Sequence, residues 1–480
     1  MEKHHGKHKT RNLAGKLITL VQLVLSVACI ILMWNSGMVP NIYMVPASIL
    51  MLAFFAITHS LQYMRKKALH ILGIIISILM SIVLAVGSIA MLKADGVLKK
   101  VGGATYKTDN MVVVVRKDDK AENLMDAKNY RFGYQTSADQ DNNQKMLDDV
   151  QSVVGRDLKL VEYPTIQEEA QALLDGKIEA AIYNEGFSSL IEESIEDYDD
   201  QVRILYQYGI KTEIKQEEEA DVEQPFNIFI SGIDVEGPIT TNSRSDVNII
   251  MTVNPNTHKI LLTTTPRDYY VTIPNISGES RDKLTHAGIY GVDASMATLE
   301  QLYGIDLSYY ARINFTSAVK IIDALGGVDV DSDYDFTTLH GNYHIQKGVN
   351  HMDGAMALGF ARERYSFKDG DNQRGRDQEK VLTAIIKKAT TPAILNNATE
   401  LIAGVSDSVQ TNMTSDEMAK FVNMQLKSGA TWDVESQAVS GTGDRQACYS
   451  SGSQQLYVMW PDDTAVQNAS AKIKQVIDGQ

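Results

Sequence analysis

Cysteine is scarce in this sequence: among 480 residues there are only two, Cys29 and Cys448. Cys29 lies within an apolar run, and Cys448 lies near the other end of the chain, so a disulfide between them is implausible. The sequence therefore excludes a disulfide-stabilised scaffold. Two cysteines also cannot complete a structural zinc site by themselves.

Several common catalytic signatures are also missing from the sequence. It contains no Walker A glycine loop, no Gly-x-Ser-x-Gly turn and no His-Glu-x-x-His motif. His340, His344 and His351 are too scattered to predict a metal site. His286 is as consistent with a structural role as with that of a general base. No internal repeat or long low-complexity segment is present.

Positive charge is in deficit, with 45 Lys and Arg residues against 60 Asp and Glu residues and a net charge of −15. All but one of the acidic residues follow residue 92, whereas eight of the basic residues precede it. An acidic chain of this kind argues against nucleic acid as a partner. Arginines that nevertheless cluster locally, as they do in residues 362–376, indicate a dedicated anion site.

Three apolar runs occupy the first 92 residues, at 17–34, 42–58 and 70–92. Each is long enough to cross the hydrocarbon core of a bilayer as a helix. Basic residues fall in the N-terminal tail and in the second loop, at 65–67, while the first loop is uncharged. The positive-inside rule then predicts a three-pass cell-membrane protein with a cytoplasmic N-terminus and a large extracellular C-terminal part.

Residues 104–215 have the pattern of a small α/β domain. Short β-branched or aromatic runs alternate with helical segments, which favours a βαβ-type architecture. Five strands are predicted at 111–116, 131–134, 158–163, 178–183 and 202–208, with a helix at 165–174. Such an accessory domain is consistent with a spacer or with ligand and partner binding. An acidic stretch, 213–224, predicts a linker after it.

Residues 225–480 predict a second, larger α/β domain with a mixed sheet and helices on its faces. Strands are predicted at 226–233, 247–253, 259–265, 310–315 and 328–330. Helices are predicted at 294–302, 317–325, 352–362 and 378–390. A further helix is predicted to begin at the capping-box pattern Thr414-Ser415-Asp416-Glu417 and to end near residue 427.

Four arginines lie within fifteen residues of this domain: Arg362, Arg364, Arg374 and Arg376. The planar guanidinium group forms bidentate hydrogen bonds with phosphate and stays charged at any physiological pH, so the cluster predicts a pyrophosphate site. Arg374 shares a helix face with Gln378 if the second helix extends back that far. The alternative is a set of surface salt bridges with the neighbouring acidic residues.

Two further segments add charged residues next to predicted strand ends. Asp234 ends the first strand, Asp246 precedes the second, and together they could bind Mg²⁺ beside substrate phosphates. Arg244 precedes Asp246, and Arg267 follows the third strand, where α/β folds build their sites. Taken singly, each of these residues is equally consistent with a turn or a salt bridge.

Six sequence blocks, in order and correctly spaced, resemble the LytR-CpsA-Psr family, and most closely its streptococcal capsule-locus CpsA members. The resemblance covers roughly residues 226–390. The blocks are Arg-Ser-Asp at 244–246, Pro-Arg-Asp at 266–268, Lys-Leu-Thr-His-Ala at 283–287, Leu-Gly-Gly-Val-Asp-Val at 325–330, Gly-x-x-x-x-x-Gly-x-x-Ala-Leu-x-Phe-x-Arg-x-Arg at 348–364, and Asp-x-x-Arg-x-x-Asp-Gln at 371–378.

The resemblance implies a phosphotransferase that moves a glycopolymer from a polyprenyl-pyrophosphate carrier onto peptidoglycan. By position, Asp234 and Asp246 would bind Mg²⁺, and Arg244 would act at the reacting phosphate. The residues implied to bind the pyrophosphate are Arg267, Arg362, Arg364, Arg374 and Gln378. Implied partners are the lipid-linked glycan donor, peptidoglycan, membrane lipid and capsule-assembly proteins.

Three points stay open at the level of sequence. The polymer is expected to be capsular polysaccharide, with teichoic acid as the alternative. A pyrophosphatase that recycles carriers, or a non-enzymatic membrane regulator of capsule synthesis, would share much of this sequence pattern. Six apolar residues are candidates for a slot for the polyprenyl tail, with ordinary core as the alternative: Ile321, Ile322, Leu325, Leu382, Ile385 and Ile386.

Overall fold

The computed structural model describes residues 5–101, 106–213, 221–233, 239, 242–368, 370–389, 391 and 409–480. Its first part is three long helices, α1 (His5–Asn35), α2 (Asn41–Leu61) and α3 (Lys67–Val101). Within them, Leu13–Asn35, Asn41–Leu61 and Lys67–Gly96 are long and apolar enough to cross a membrane. The three predicted apolar helices are therefore confirmed.

Residues 106–213, here called the accessory unit, form one five-stranded sheet with the strand order β3-β2-β4-β1-β5. Strand β2 runs parallel to β3 and β4, and β1 runs antiparallel to β4 and β5. The β2, α4 and β3 elements thus form the predicted βαβ arrangement. The elements in chain order are β1 (Tyr106–Arg116), β2 (Arg131–Gln135), α4 (Gln140–Val154), β3 (Lys159–Tyr163), α5 (Ile166–Leu174), β4 (Ala180–Asn184), α6 (Ser188–Glu192), α7 (Tyr198–Gln201) and β5 (Val202–Glu213).

The described residues from 221 onward, here called the main unit, are built on a six-stranded mixed sheet. The strands of the main unit, six in this sheet and the rest in two-stranded pairs, are β6 (Phe226–Ile233), β7 (Val247–Asn254), β8 (Lys259–Thr265), β9 (Tyr270–Val271), β10 (Asp282–Lys283), β11 (Tyr309–Asn314), β12 (Val328–Ser332), β13 (Phe336–Thr337), β14 (His344–Ile345), β15 (Gly348–Met352), β16 (Val409–Thr411), β17 (Asp433–Ala438), β18 (Gly441–Ala447) and β19 (Gln455–Pro461). The order in the large sheet is β16-β11-β6-β7-β8-β17.

Helices cover both faces of the large sheet, as predicted. They are α8 (Leu284–Ala287), α9 (Val292–Tyr303), α10 (Phe315–Ala324), α11 (Gly354–Arg362), α12 (Gly370–Ala389), α13 (Ser415–Ser428) and α14 (Asp463–Ile477). On one face, sheet residues such as Ile230 and Ile249 pack with α10, α11 and α12. On the other face, Phe229 and Ile250 pack with α9 and α14. This alternation arises because successive side chains of a strand point to opposite faces of the sheet, and here both faces are buried.

The six residues considered for a lipid slot all belong to the first of these cores. None of them is more than 9% exposed, and Ile322 and Leu382 are each 1% exposed. In this structure they make ordinary core contacts.

Several predicted helices have different bounds in the structure, and the shifts in α12 and α11 have identifiable causes. Helix α12 begins at Gly370 instead of residue 378, because its first two turns contain only polar residues and glycine and so carry no apolar periodicity. Helix α11 begins at Gly354 instead of residue 352, because Gly348–Met352 forms a strand antiparallel to β12. The earlier start of α12 brings Arg374 and Gln378 onto one helix.

Helix α13 joins the main unit to the N-terminal helices. Asn423 donates a hydrogen bond to the backbone oxygen of Gly37 at 2.8 Å. Met38, Leu98 and Ala419 form a small apolar cluster at the same place. The large sheet is therefore tied to one end of the three-helix bundle.

Candidate anion-binding site

A cavity of about 550 Å³ lies between the main unit and the accessory-unit segment 188–197. Its walls are unusually rich in charge of both signs. The cationic residues that line it are Arg244, Arg267, Lys283, Arg364, Arg374 and Arg445. The acidic residues are Glu192, Glu193, Glu196 and Asp197, and the remaining lining residues are Ser189, Gln454, Leu456 and Tyr457.

The segment that carries Arg244 is fixed by hydrogen bonds on both sides. The backbone N–H of Ser245 donates to the carbonyl oxygen of Thr285, at 3.1 Å, and that of Asp246 donates to Gly232 at 2.9 Å. Gly288 packs so closely against this segment that a Cβ atom would lie 2.6 Å from the Ser243 carbonyl oxygen. A side chain at position 288 would therefore displace Arg244.

Arg267 and Asp246 form a nearly buried ion pair. The Arg267 Nη1 atom lies 3.0 Å from Asp246 Oδ1, and the side chains are 13% and 4% exposed. Thr285 Oγ1 donates to the same carboxylate oxygen at 3.2 Å. Burial raises the pKa of Asp246, but the positive charges of Arg267, Arg244 and Arg374 outweigh it, so the pKa lies below its ordinary value. The side chain of Asp246 is thus a nearly buried, ionised carboxylate.

Lys283 is a site residue that the sequence did not single out, although it begins the Lys-Leu-Thr-His-Ala block. Its Nζ atom lies 2.9 Å from Asp268 Oδ1 and 3.6 Å from Glu193 Oε1. Burial lowers the pKa of Lys283, but the two carboxylates raise it more, and the net shift is upward. Lys283 therefore adds a permanent positive charge to the cavity.

Glu193 comes from the accessory unit and pairs directly with Arg244, with 2.9 Å between Oε1 and Nη1. His286 lies behind it, fully buried, with Nδ1 2.6 Å from Asp282 Oδ1 and Nε2 3.7 Å from Glu193 Oε1. Burial lowers the pKa of His286, but the two carboxylates raise it above its ordinary value. A buried imidazole between two carboxylates that favour its protonated form is suited to a structural role.

Helix α12 contributes Arg374 to the cavity wall, and Gln378 follows one helical turn later, outside the cavity lining. The Gln378 side chain is 0% exposed. Within the described part of the chain, neither its amide nitrogen nor its amide oxygen has a hydrogen-bond partner. A buried amide without partners costs about 1–3 kcal/mol, so a bound water, ion or ligand would stabilise it.

The remaining predicted site residues are placed as follows. Arg362 is the last residue of α11 and, like Gln378, is not part of the cavity lining. Arg364 lies two residues further on, at the cavity wall, with its guanidinium carbon 4.7 Å from the centre of the Tyr365 ring. Asp234 falls outside the described residues. Four of the eight predicted site residues, Arg244, Arg267, Arg364 and Arg374, therefore meet at one cavity, and Asp246 contacts it through Arg267.

A second cavity, of about 380 Å³, shares Arg267 with the first and is also lined by Asp246, Arg376 and Glu379. Burial raises the pKa of Glu379 to about 8 against the opposing charges of Arg376 and Arg267. No group of three or more His, Cys, Asp or Glu side chains suited to a metal occurs in the described ranges. Of the two predicted metal ligands, Asp246 is the one that lies within the described residues.

The fold and the site define a class of protein: an α/β protein with three apolar N-terminal helices and an arginine-rich cavity that fits a phosphate-bearing anion. The chain belongs to the LytR_cpsA_psr family, whose model matches residues 194–472. This match begins inside the accessory unit and extends well beyond residue 389, so it is longer than the region of resemblance recognised from the motifs.

Similar proteins from several organisms carry one and the same name. A Bacillus cereus protein named polyisoprenyl-teichoic acid–peptidoglycan teichoic acid transferase TagU is 36% identical over 196 residues, which cover 41% of this chain and 62% of the relative. An Enterococcus faecalis protein of the same name is 32% identical over 226 residues, which cover 46% and 72%. The chain thus spans less than two thirds of the length of the Bacillus cereus relative.

Among solved structures, that of B. subtilis TagV is similar, with 25% identity, a TM-score of 0.45 and coverage of 53% of this chain and 98% of TagV. At this TM-score, the similarity does not bear on function.

Proposed function

We propose that the protein is a phosphotransferase that moves a glycopolymer from a polyprenyl-pyrophosphate carrier onto peptidoglycan. The observation that carries this proposal is the convergence of Arg244, Arg267, Arg364 and Arg374 on one cavity. These residues come from separate parts of the chain, so their meeting is a product of the fold and not of local sequence. Family membership and the names of the relatives point in the same direction.

The chemistry needs little from the protein beyond positioning and charge stabilisation. The oxygen of the acceptor hydroxyl forms a bond to the sugar-linked phosphorus, the bond from that phosphorus to the bridging oxygen breaks, and polyprenyl phosphate leaves and takes up the hydroxyl proton. Arg244, in the cavity wall, would stabilise charge at the reacting phosphate. The proposed pyrophosphate ligands are Arg267, Arg362, Arg364, Arg374 and Gln378, and the partnerless amide of Gln378 supports its inclusion.

Mg²⁺ is proposed as the cofactor, with Asp246 and Asp234 as its protein ligands. The ionised, buried Asp246 carboxylate fits this role, because Mg²⁺ prefers carboxylate and phosphate oxygens. When bound, the ion would neutralise negative charge on the pyrophosphate. Asp246 would then exchange part of its interaction with Arg267 for the ion.

The proposed orientation places the cavity outside the cell, where peptidoglycan is found. It rests on the basic N-terminal tail and on the basic loop at residues 65–67. The contact between Asn423 and Gly37 keeps the main unit against the helix bundle, so a lipid-linked donor would approach it from the membrane surface.

Capsular polysaccharide is the proposed polymer, on the resemblance to capsule-locus members of the family. The relatives are named for teichoic acid transfer, which makes teichoic acid the second candidate polymer. Capsule-assembly proteins are the further partners that a capsule role would involve. A pyrophosphatase activity at the same site would differ from transfer in using water as the acceptor.

The test uses the full chain in detergent micelles. Release of polyprenyl phosphate from a polyprenyl-pyrophosphate glycan is measured with and without Mg²⁺ and with and without peptidoglycan fragments. Arg362→Ala is the test variant, and Arg156→Ala, which removes an exposed arginine of the accessory unit, is the matched control. We expect release that requires Mg²⁺, is retained in the control and is abolished in Arg362→Ala.

The acceptor dependence separates the candidate functions. A phosphodiester-linked product that forms only with peptidoglycan supports the transferase, whereas equal release without an acceptor indicates a pyrophosphatase. A folded protein that neither releases nor binds the lipid would reject both enzymatic functions and favour a regulator.

A further inference from the structure

The accessory unit enters the cavity through one short piece of chain, residues 188–197, here called the acidic segment. Its Glu193 carboxylate lies 2.9 Å from Arg244 Nη1, 3.6 Å from Lys283 Nζ and 3.7 Å from His286 Nε2. The second carboxylate oxygen, Oε2, is buried and has no hydrogen-bond partner within the described part of the chain. Glu193 thus occupies the centre of the positive charge with one oxygen unused.

We propose that Glu193 is an internal competitor of the donor: it neutralises Arg244 in the donor-free protein and must release Arg244 before a donor phosphate can bind there. This inference rests on the proposed function, in which Arg244 acts at the reacting phosphate. A carboxylate and a phosphate present similar pairs of oxygens to a guanidinium group, so both compete for the same hydrogen bonds. A carboxylate left beside the bound pyrophosphate would also repel it.

Protonation cannot release Glu193. Burial raises its pKa, but His286, Lys283 and Arg244 lower it far more, so the pKa lies well below its usual range. The carboxylate therefore stays ionised at any physiological pH. Release requires the acidic segment, or the side chain of Glu193, to move away from Arg244.

Polar contacts hold Glu193 and Ser194 of the acidic segment to the main unit, whereas Leu190 and Ile191 belong to an apolar cluster that also contains Ile289. Gln454 donates to the backbone oxygen of Glu193 at 3.2 Å and accepts a hydrogen bond from the Ser194 hydroxyl. Nearby, Gln167 donates to the backbone oxygen of Ser450 at 3.3 Å. Polar contacts of this kind separate and re-form more readily than apolar packing does. Gln454 therefore helps to hold Glu193 beside Arg244.

The competition is tested by binding geranylgeranyl pyrophosphate to the full chain in detergent micelles. Glu193→Gln is compared with Glu196→Gln, which removes the same charge from an exposed residue of the same cavity wall. Removing the competitor should tighten binding roughly tenfold in Glu193→Gln. The control should change it by about twofold or less, because the charge it removes is solvent-exposed. Thermal unfolding of each variant reports whether it is folded.

A second variant, Gln454→Ala, loosens the acidic segment without changing any charge. It too should tighten binding, and it keeps the test decisive if Glu193→Gln does not fold. Binding that is unchanged or weaker in the folded test variants, while wild-type binding is lost in Arg362→Ala, would overturn the competition and leave the proposed function standing. A wild-type protein that shows no binding dependent on Arg362 would overturn both.

Discussion

Arg267 donates to Asp246 across 3.0 Å, and the pair is fixed before any donor arrives, because Thr285 donates to the same carboxylate oxygen. This network orients a guanidinium group toward the cavity without a ligand to position it. Preorganised charge of this kind stabilises charged transition states without a reorganisation cost. The same pair makes Arg267 important for stability as well as for binding.

Replacing Arg267 with Ala should therefore destabilise the protein, because it leaves the buried Asp246 carboxylate without its main partner. Loss of one member of a buried pair costs about 3–5 kcal/mol. The measurement is thermal or urea unfolding of the full chain in detergent. Arg364→Ala removes the same charge from an exposed position and should change stability by about 0.5 kcal/mol or less. Equal destabilisation by both variants would contradict the assigned role of the pair.

Most of the main sheet could be predicted from the sequence. The bounds of β6 (Phe226–Ile233) and β8 (Lys259–Thr265) agree with prediction to the residue, because each is an almost continuous apolar and β-branched run between turn residues. The strand Gly348–Met352 is not predicted from the sequence, because its residues show no clear alternation of apolar and polar side chains. Its position depends on pairing with β12, which is a tertiary contact.

Residues of the site could be predicted from the sequence only where they belong to a recognisable motif. Arg244, Arg267, Arg364 and Arg374 stand in recognisable blocks, and they share one cavity. Glu193 stands among many acidic residues, so no local signal separates it from solvent-exposed ones. Its contact with Arg244 joins residues 51 positions apart in two different units, and only the folded chain brings them together.

Stability should depend on pH through Asp377, whose pKa burial raises to about 7. One of its oxygens accepts from Gln373 at 2.9 Å, and the other has no partner among the residues described. A carboxyl with a raised folded-state pKa destabilises the fold as pH rises from the unfolded-state value near 4 through the folded-state value near 7. Below pH 4 the effect vanishes, because both states are protonated.

Asp377→Asn should therefore stabilise the protein at pH 8, by up to about 4 kcal/mol, and have little effect at pH 4. Unfolding measured at both pH values checks this expectation. Asp118→Asn is the control, because its side chain is 90% exposed, and it should change stability by about 0.5 kcal/mol or less. A pH-independent effect of Asp377→Asn would show that its carboxyl does not titrate in the folded protein as inferred.

The capping box of helix α13 should contribute measurably to stability. Thr414 accepts from the Glu417 backbone N–H at 3.2 Å, and the Glu417 side chain accepts from the Thr414 backbone N–H at 2.7 Å. Thr414→Ala should cost about 1 kcal/mol in unfolding free energy, and Thr414→Ser should restore most of it. Because α13 contacts Gly37, proteolysis of the junction with the helix bundle should accelerate in Thr414→Ala. An unchanged melting temperature would reject this contribution.

Gln378 should show a trade between stability and binding, since its buried amide has no partner in the described structure. Gln378→Met keeps the length of the side chain and removes the unsatisfied groups, so the donor-free protein should gain about 1 kcal/mol. The same variant should lose pyrophosphate affinity, because the amide is then missing from the site.

Gln373→Met is a close control on the same helix: Gln373 is also buried, but it donates to Asp377 at 2.9 Å and accepts from Arg376. That control should be destabilised. A Gln378→Met protein that is less stable than wild type would mean that its amide has a partner in the donor-free state, and its assignment to the pyrophosphate site would lose its structural support.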